Sequence, residues 1–239
     1  MTRPMQAIAV AASLIVGLSA CAGTTVGDDG AGMPASVETA PSLDARPVQE
    51  QLVQAVIRGD AAVAELALAA GADPSLYDRA TDNSALSLAI TRDDLAMVEL
   101  LLAAGGKVEW PEYEYSELEI AGTFASADVV RALLATGADP NGVGTRKGLP
   151  LIRAAVENNA GAMGALLEAG ADPNAVEDAE GAAPPLFWAA YGGSQGAALV
   201  LVDAGTDVAI RDRDGFAPSD WADSQGHREL ATLLREWGA

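Results

Sequence analysis

The chain has little of what catalytic chemistry draws on. Its 239 residues include one cysteine, Cys21, and one histidine, His227. A single cysteine excludes an internal disulfide framework and a cysteine-rich zinc site. A single histidine excludes a multi-histidine metal centre and leaves one imidazole for proton transfer. Aromatic residues make up only 5%, so small side chains must do much of the packing. Basic residues are scarce as well: 14 Lys+Arg stand against 34 Asp+Glu, a formal net charge of -20. The Lys/Arg field that replaces phosphate counterions is missing, which argues against DNA or RNA as a partner. An electrostatic grip on anionic lipid is missing too. The apolar run at 7–16, broken only by Ser13, is too short to cross a bilayer as a permanent helix.

Residues 1–20 read instead as a secretory signal. Arg3 is the only charge, the apolar run follows, and the small residues Ser19 and Ala20 precede the sole cysteine. The tetrad Leu18-Ser19-Ala20-Cys21 resembles the bacterial lipobox: leucine, two small residues, cysteine. That resemblance implies a lipid attachment at Cys21, its thiol taking a diacylglycerol and its freed amine a third acyl chain. Three chains exceed the two signals that stable anchoring requires, so no charged patch is needed to hold the membrane. In that family an aspartate after the cysteine retains lipoproteins at the inner membrane. Ala22 therefore implies outer-membrane delivery in a host with two membranes, with the protein facing the periplasm. Residues 21–46 are dominated by Gly, Thr, Ser, Ala, Asp and Pro without a period of 2 or 3.6, and read as a disordered, lipid-anchored linker. As a coil, about 25 residues span roughly 25–30 Å.

Residues 47–239 are one motif written six times. Gly-Ala-Asp-Pro stands at 71–74, 137–140 and 170–173, with Gly205-Thr206-Asp207-Val208 and Gly105-Gly106-Lys107-Val108 as variants. The glycines recur at about 33 residues. Units starting near 50, 84, 116, 149, 184 and 217 align without internal gaps. Their sixth position is always alanine: Ala55, Ala89, Ala121, Ala154, Ala189 and Ala222. The third is Leu52, Leu86, Leu118, Leu151 and Leu186, then Ser219; the eighteenth is Ala67, then Leu101, Leu133, Leu166, Leu201 and Leu234. Each unit predicts a short apolar helix and a turn near position ten, at Gly59, Asp93, Ala125, Asn158, Gly193 and Gly226. A second helix with three- and four-residue apolar spacing follows, ended by the repeated glycine as a left-handed cap. The alanine column marks where adjacent helices come close. One unit cannot bury its own apolar face, so neighbours must stack.

This pattern resembles the ankyrin repeat. The resemblance rests on Leu149-Pro150-Leu151-Ile152-Arg153-Ala154, on Gly170-Ala171-Asp172-Pro173-Asn174-Ala175 and on Asp212-Arg213-Asp214-Gly215-Phe216-Ala217-Pro218. It implies an all-α ankyrin-repeat solenoid of about six helix-turn-helix units with short β-hairpin-like fingers over 47–239. Departures fall at the openings, where threonine is missing throughout and the third unit has no recognisable signature, and at Lys107, which replaces a closing aspartate. The end units read as caps, with Glu50, Gln51 and Gln54 facing outward early and Arg228, Glu229, Arg235 and Glu236 coating the last helix.

Candidate chemistry is thin, and no cofactor or metal is expected. Gly192-Gly193-Ser194-Gln195-Gly196 matches G-x-S-x-G, but a serine hydrolase using Ser194 needs a preceding strand and a partner imidazole, and His227 is the one available. The glycine-rich stretch 142–148 misses the spacing of a phosphate-binding loop. Asp212 and Asp214 lack the bidentate acid of a calcium loop and fit an inter-repeat hairpin. Trp188 and Trp221, at position five, are expected in the core. Binding is the stronger lead. In ankyrin proteins the variable residues of the first helix and the finger tips form a concave face. Positions eight and nine here carry Arg58, Arg92, Phe124, Glu157 and Tyr191, and the finger between units two and three adds Trp110, Tyr113 and Tyr115. Aromatics and arginine are favoured interface anchors. The expected function is a monomeric, non-enzymatic scaffold for a protein partner, with the negative field favouring a basic one. The alternative is an immunity or protective protein that blocks a toxin or stabilises a periplasmic enzyme.

Overall fold

A computed structural model describes residues 42–77, 83–108, 115–142, 149–176 and 183–238. Cys21, the signal and most of the linker lie outside them. The chain divides into two units, Met1–Ala40 and Pro41–Ala239; the second contains all the described residues.

Among the described residues there are twelve helices and no β-strand beyond an isolated bridge at Asn83. The first helix of each unit is α1 (Val48–Arg58), α3 (Ala85–Thr91), α5 (Glu117–Phe124), α7 (Pro150–Val156), α9 (Pro185–Gly192) and α11 (Pro218–Ser224). The second is α2 (Ala61–Ala69), α4 (Leu95–Ala103), α6 (Ala127–Leu134), α8 (Ala160–Glu168), α10 (Gln195–Asp203) and α12 (Arg228–Trp237). First helices pack on first helices in chain order from α1 to α11, and second helices on second helices from α2 to α10. That is a solenoid, with a core shared between neighbours rather than held within one unit.

The core follows the repeating columns. No alanine of the sixth position is more than 2% exposed, and the same holds for the leucines of the third position and for every residue of the eighteenth. Burying each such leucine contributes about 1.5–3 kcal/mol, which one isolated helical pair could not collect. α5 and α7 approach closely: a Cβ on Gly122 would stand 2.5 Å from the Pro150 carbonyl oxygen.

The turns inside the units explain one irregularity. Asp93 and Asn158 adopt positive φ, at 54° and 55°, in place of glycine. Ala125 does not; it stays extended at φ -95°, because a methyl side chain disfavours the left-handed region. Asp93 and Asn158 also reach forward. Asp93 Oδ1 accepts the Ser126 N–H at 2.7 Å, and Asn158 Oδ1 accepts the Ala197 N–H at 3.1 Å. Neither α6 nor α10 has a side-chain cap of its own, so each is capped from the unit before it. Asn159 ties backwards, its amide donating to the Gly122 and Ala125 carbonyls.

The missing opening threonines are replaced by other caps. Ser84 and Ser87 exchange a reciprocal capping box, and Ser116 and Glu119 do the same in the third unit. The closing aspartates Asp73, Asp139, Asp172 and Asp207 each accept the N–H two residues on, at 2.8–2.9 Å. Where Lys107 replaces that aspartate, its N–H donates to Ser75 Oγ of the preceding unit at 2.7 Å.

Three expectations change. Gln51 does not face outward: it is 3% exposed, and its amide bonds Asp44 and Arg46. Residues 42–46, read as linker from composition, fold onto α1 through these bonds, with Leu43 packed against the core. The last repeated glycine, Gly238, is not left-handed; at φ -91° its N–H continues the α12 pattern to Leu234. Of the fingers, 78–82, 109–114, 143–148 and 177–182 lie outside the described residues. The fifth is a tight hairpin in which the Asp212 N–H donates to the Phe216 carbonyl.

The α5–α7 contact is testable. Gly122→Ala should destabilise the protein by about 1–3 kcal/mol, since neither backbone can retreat. In Gly164→Ala, at a helical site where the added Cβ meets nothing within 4 Å, stability should rise by up to about 1 kcal/mol. Urea midpoints of the two variants measure the difference.

Candidate functional site

The same register that builds the core fixes what it leaves uncovered. Position five of the first helices is half-buried in all six units: Gln54, Leu88, Ile120, Arg153, Trp188 and Trp221. Position eight continues this face with Ile57, Thr91, Thr123, Val156 and Tyr191, all half-buried, and Ser224, which is exposed. Residues of one helix face recur at three- and four-residue spacing, so these two positions form a ribbon running from unit to unit.

The predicted contact residues sit along its edge. Arg58 ends α1, Arg92 caps α3, Phe124 ends α5 and Glu157 caps α7; all four are exposed, Phe124 by 45%. Tyr191 lies in the last turn of α9, half-buried. Neither Arg58 nor Arg92 makes an ion pair among the described residues, although Arg58 is close enough to act on the Asp44 carboxylate. Trp110 and Tyr113 lie outside the described residues. Tyr115 is half-buried, and the Arg153 guanidinium lies 5.7 Å from its ring centroid.

Trp188 and Trp221 depart from the expectation of a core position. They pack against the core, yet both remain half-buried on the ribbon. Trp188 meets Tyr191 and Trp221 edge to face at 6.3 and 5.9 Å, and Tyr191 meets Trp221 at 6.2 Å. Phe187 lies beneath, 5.3 Å from Trp221 and fully buried. The sequence places Trp188 and Trp221 in the position-five column; that this column is half-buried in every unit is visible only in the stack.

The third unit carries buried carboxyl groups that sequence reading missed, although Ser116-x-x-Glu119 is a recognisable capping signature. Glu119 is 1% exposed in its side chain; one oxygen accepts the Ser116 N–H and the other lies 3.9 Å from Arg153 Nε. Glu117 is 3% exposed, and its Oε2 has no hydrogen-bond partner among the described residues. Burial pushes its carboxyl up to about 8, opposed only in part by its own backbone N–H.

Ser194 is not set up as a nucleophile. The segment before it is helix α9, not a strand, and Ser194 is 2% exposed with its hydroxyl donating to the Val156 carbonyl at 3.2 Å. His227 packs on Gly193, where an added Cβ would stand 2.5 Å from Nδ1. Asp212 is equally committed: Oδ1 accepts the Asp214 and Phe216 N–H groups and Oδ2 the Trp221 indole. Among the described residues no group of three or more His, Cys, Asp or Glu is placed to hold a metal.

Comparison with known proteins bears on the fold. Residues 52–143 match the family described as ankyrin repeats in three copies, a family of protein–protein interaction modules. The described architecture is an ankyrin-repeat solenoid. Among solved structures it is similar to the ankyrin repeat domain of Bcl-3, described as a unique member of the IkappaB protein family. The likeness has a TM-score of 0.67 and covers 79% of this chain and 86% of that one at 23% identity. No curated protein matches the sequence.

The buried acid generates a pH dependence. Glu117 ionises near its ordinary value of 4.5 in the unfolded chain and near 8 in the folded one. Its protonated form favours folding below 4.5, and that contribution is lost as pH rises from 4.5 to 8. Glu117→Gln should therefore leave stability little changed at pH 4.5 and raise it at pH 8.5, by a few kcal/mol at most. Urea unfolding at both values measures this; equal differences between variant and parent at the two pH values would contradict it.

Proposed function

We propose that this chain is a lipid-anchored, non-enzymatic scaffold of a bacterial envelope, which holds a protein partner on the concave face of its first helices, the inner-helix face. The observation that carries the reading is the half-buried ribbon of positions five and eight. Leu88, Ile120, Trp188, Tyr191 and Trp221 hold apolar surface at the protein boundary, and the exposed Phe124, Arg58 and Arg92 border it. Apolar area of this kind gains free energy only when something covers it. A preformed helical surface loses little conformational freedom on binding, so a few anchors suffice. The net charge of -20 favours a basic partner and speeds its encounter. Placement in the envelope rests on Leu18-Ser19-Ala20-Cys21 and Ala22: acyl chains on Cys21 hold the protein at the outer membrane, and the linker carries the solenoid into the periplasm. A toxin neutralised, or an enzyme stabilised, on the same face is the narrower form of this reading.

Two measurements test it. A photocrosslinking residue at Thr91 or Val156 should capture one discrete partner in cells, while the same residue at Glu99 on α4 should not. Combined Arg92→Ala, Phe124→Ala and Tyr191→Ala should abolish the adduct, and an undiminished adduct would misplace the face. Separately, Cys21→Ser should abolish incorporation of labelled palmitate and move the protein from the membrane to the soluble fraction. Unchanged labelling would remove the anchor.

A further inference from the structure

One part of the ribbon differs in chemistry from the rest. Aromatics are 5% of the chain, yet Trp188, Tyr191 and Trp221 meet on one half-buried patch over Phe187. Both indole N–H groups are already used: Trp188 donates to the Ala183 carbonyl at 3.1 Å and Trp221 to Asp212 Oδ2 at 2.8 Å. What remains for a ligand is ring surface, whose faces carry negative potential, and the Tyr191 hydroxyl, which has no partner among the described residues. An anion would find no free indole donor here. One carboxylate borders the patch: Asp212, whose Oδ2 accepts the Trp221 indole N–H.

The chain shows internally what such a combination holds. One unit earlier, at the same position five, the Arg153 guanidinium lies 5.7 Å from the Tyr115 ring centroid with Glu119 Oε1 3.9 Å from Nε. An aromatic ring and a carboxylate there hold a cation supplied by the chain itself. At the next two units the ribbon again offers rings, with the Asp212 carboxylate at their border, but position five carries tryptophan instead of a cation.

We propose that the surface of Trp188, Tyr191 and Trp221 is a subsite for a cationic side chain of the partner protein, arginine foremost. The proposal rests on the inner-helix face being the binding face, and it names the chemistry of one contact there. Arginine fits better than lysine because its planar guanidinium stacks on a ring while its edge donates to a carboxylate.

The test is a titration of the protein with the blocked peptide acetyl-Gly-Arg-Gly-amide, followed through the tryptophan indole N–H resonances. The arginine peptide should shift Trp188 and Trp221 in a saturable way and leave Trp237 on α12 unmoved. Acetyl-Gly-Gln-Gly-amide should shift none of them. Tyr191→Leu should weaken the response by about three- to tenfold, and Tyr191→Phe should retain it. The wild-type titration decides the matter even if Tyr191→Leu fails to fold. Equal shifts from the glutamine peptide, or an arginine response centred on Trp237, would overturn the subsite. Partner capture at Thr91 that persists undiminished in Tyr191→Leu would also overturn it, while leaving the scaffold reading intact. Absence of capture at every inner-face position, with the peptide response intact, would overturn the scaffold reading and leave the subsite standing.

Discussion

Everything in this fold depends on how closely the first helices of successive units approach one another. The alanine column from Ala55 to Ala222 is buried throughout, and at Gly122 even a methyl group would collide with the backbone of α7. That separation sets the reach across which every other inter-unit contact is made. With the helices this close, leucines of the third and eighteenth positions fill the remaining space, and stability accrues by stacking rather than within one unit. The small side chains of this sequence are therefore a packing requirement, not a shortage of core.

The polar contacts enforce the same spacing. Asp93 and Asn158 perform two tasks, accepting a left-handed turn and capping the second helix of the following unit. Asn159 returns the connection by bonding the preceding unit's carbonyls, and Ser194 donates backwards to Val156. A residue that resembles a catalytic serine in sequence is thus a structural link. Its proton is committed to a carbonyl, and its burial removes it from any substrate. Such bonds contribute only about 1 kcal/mol each, but they have direction, and so they fix register where hydrophobic burial alone would not.

The third unit is where the regular pattern is strained. The turn between its helices is not left-handed, it places Glu117 in the interior with no partner for one oxygen among the described residues, and it sets Glu119 against Arg153 of the next unit. Buried charge of this kind is weak evidence for stability, because desolvation offsets much of the attraction. It does position Arg153, and with it the step along the ribbon from the aliphatic Leu88 and Ile120 to the aromatic Trp188 and Trp221. Along position five the ribbon is therefore graded: polar at Gln54, aliphatic at Leu88 and Ile120, cationic at Arg153 and aromatic at Trp188 and Trp221.

The repeat length, the helix-turn-helix units, the alanine and leucine columns and the closing aspartates were legible in the sequence. Each is imposed by local geometry recurring at a fixed period, and period survives in one dimension. The outer rows were legible only in part. Positions eight and nine read as part of the contact face from the sequence, whereas Trp188 and Trp221 at position five read as core, because hydrophobicity does not say whether the next unit covers a ring completely. Gln51 was assigned to the surface because polarity does not show that residues 42–46 will fold back to satisfy its amide. The capping boxes were written in Ser84-x-x-Ser87 and Ser116-x-x-Glu119, yet they were hidden by the expectation of a threonine. Only the stacked structure decided which side chains meet across units: the pairing of Arg153 with Glu119 and Tyr115, the aromatic patch and the isolation of Glu117. Those contacts join residues brought together by superposing one unit on the next, and no spacing along the chain encodes that distance.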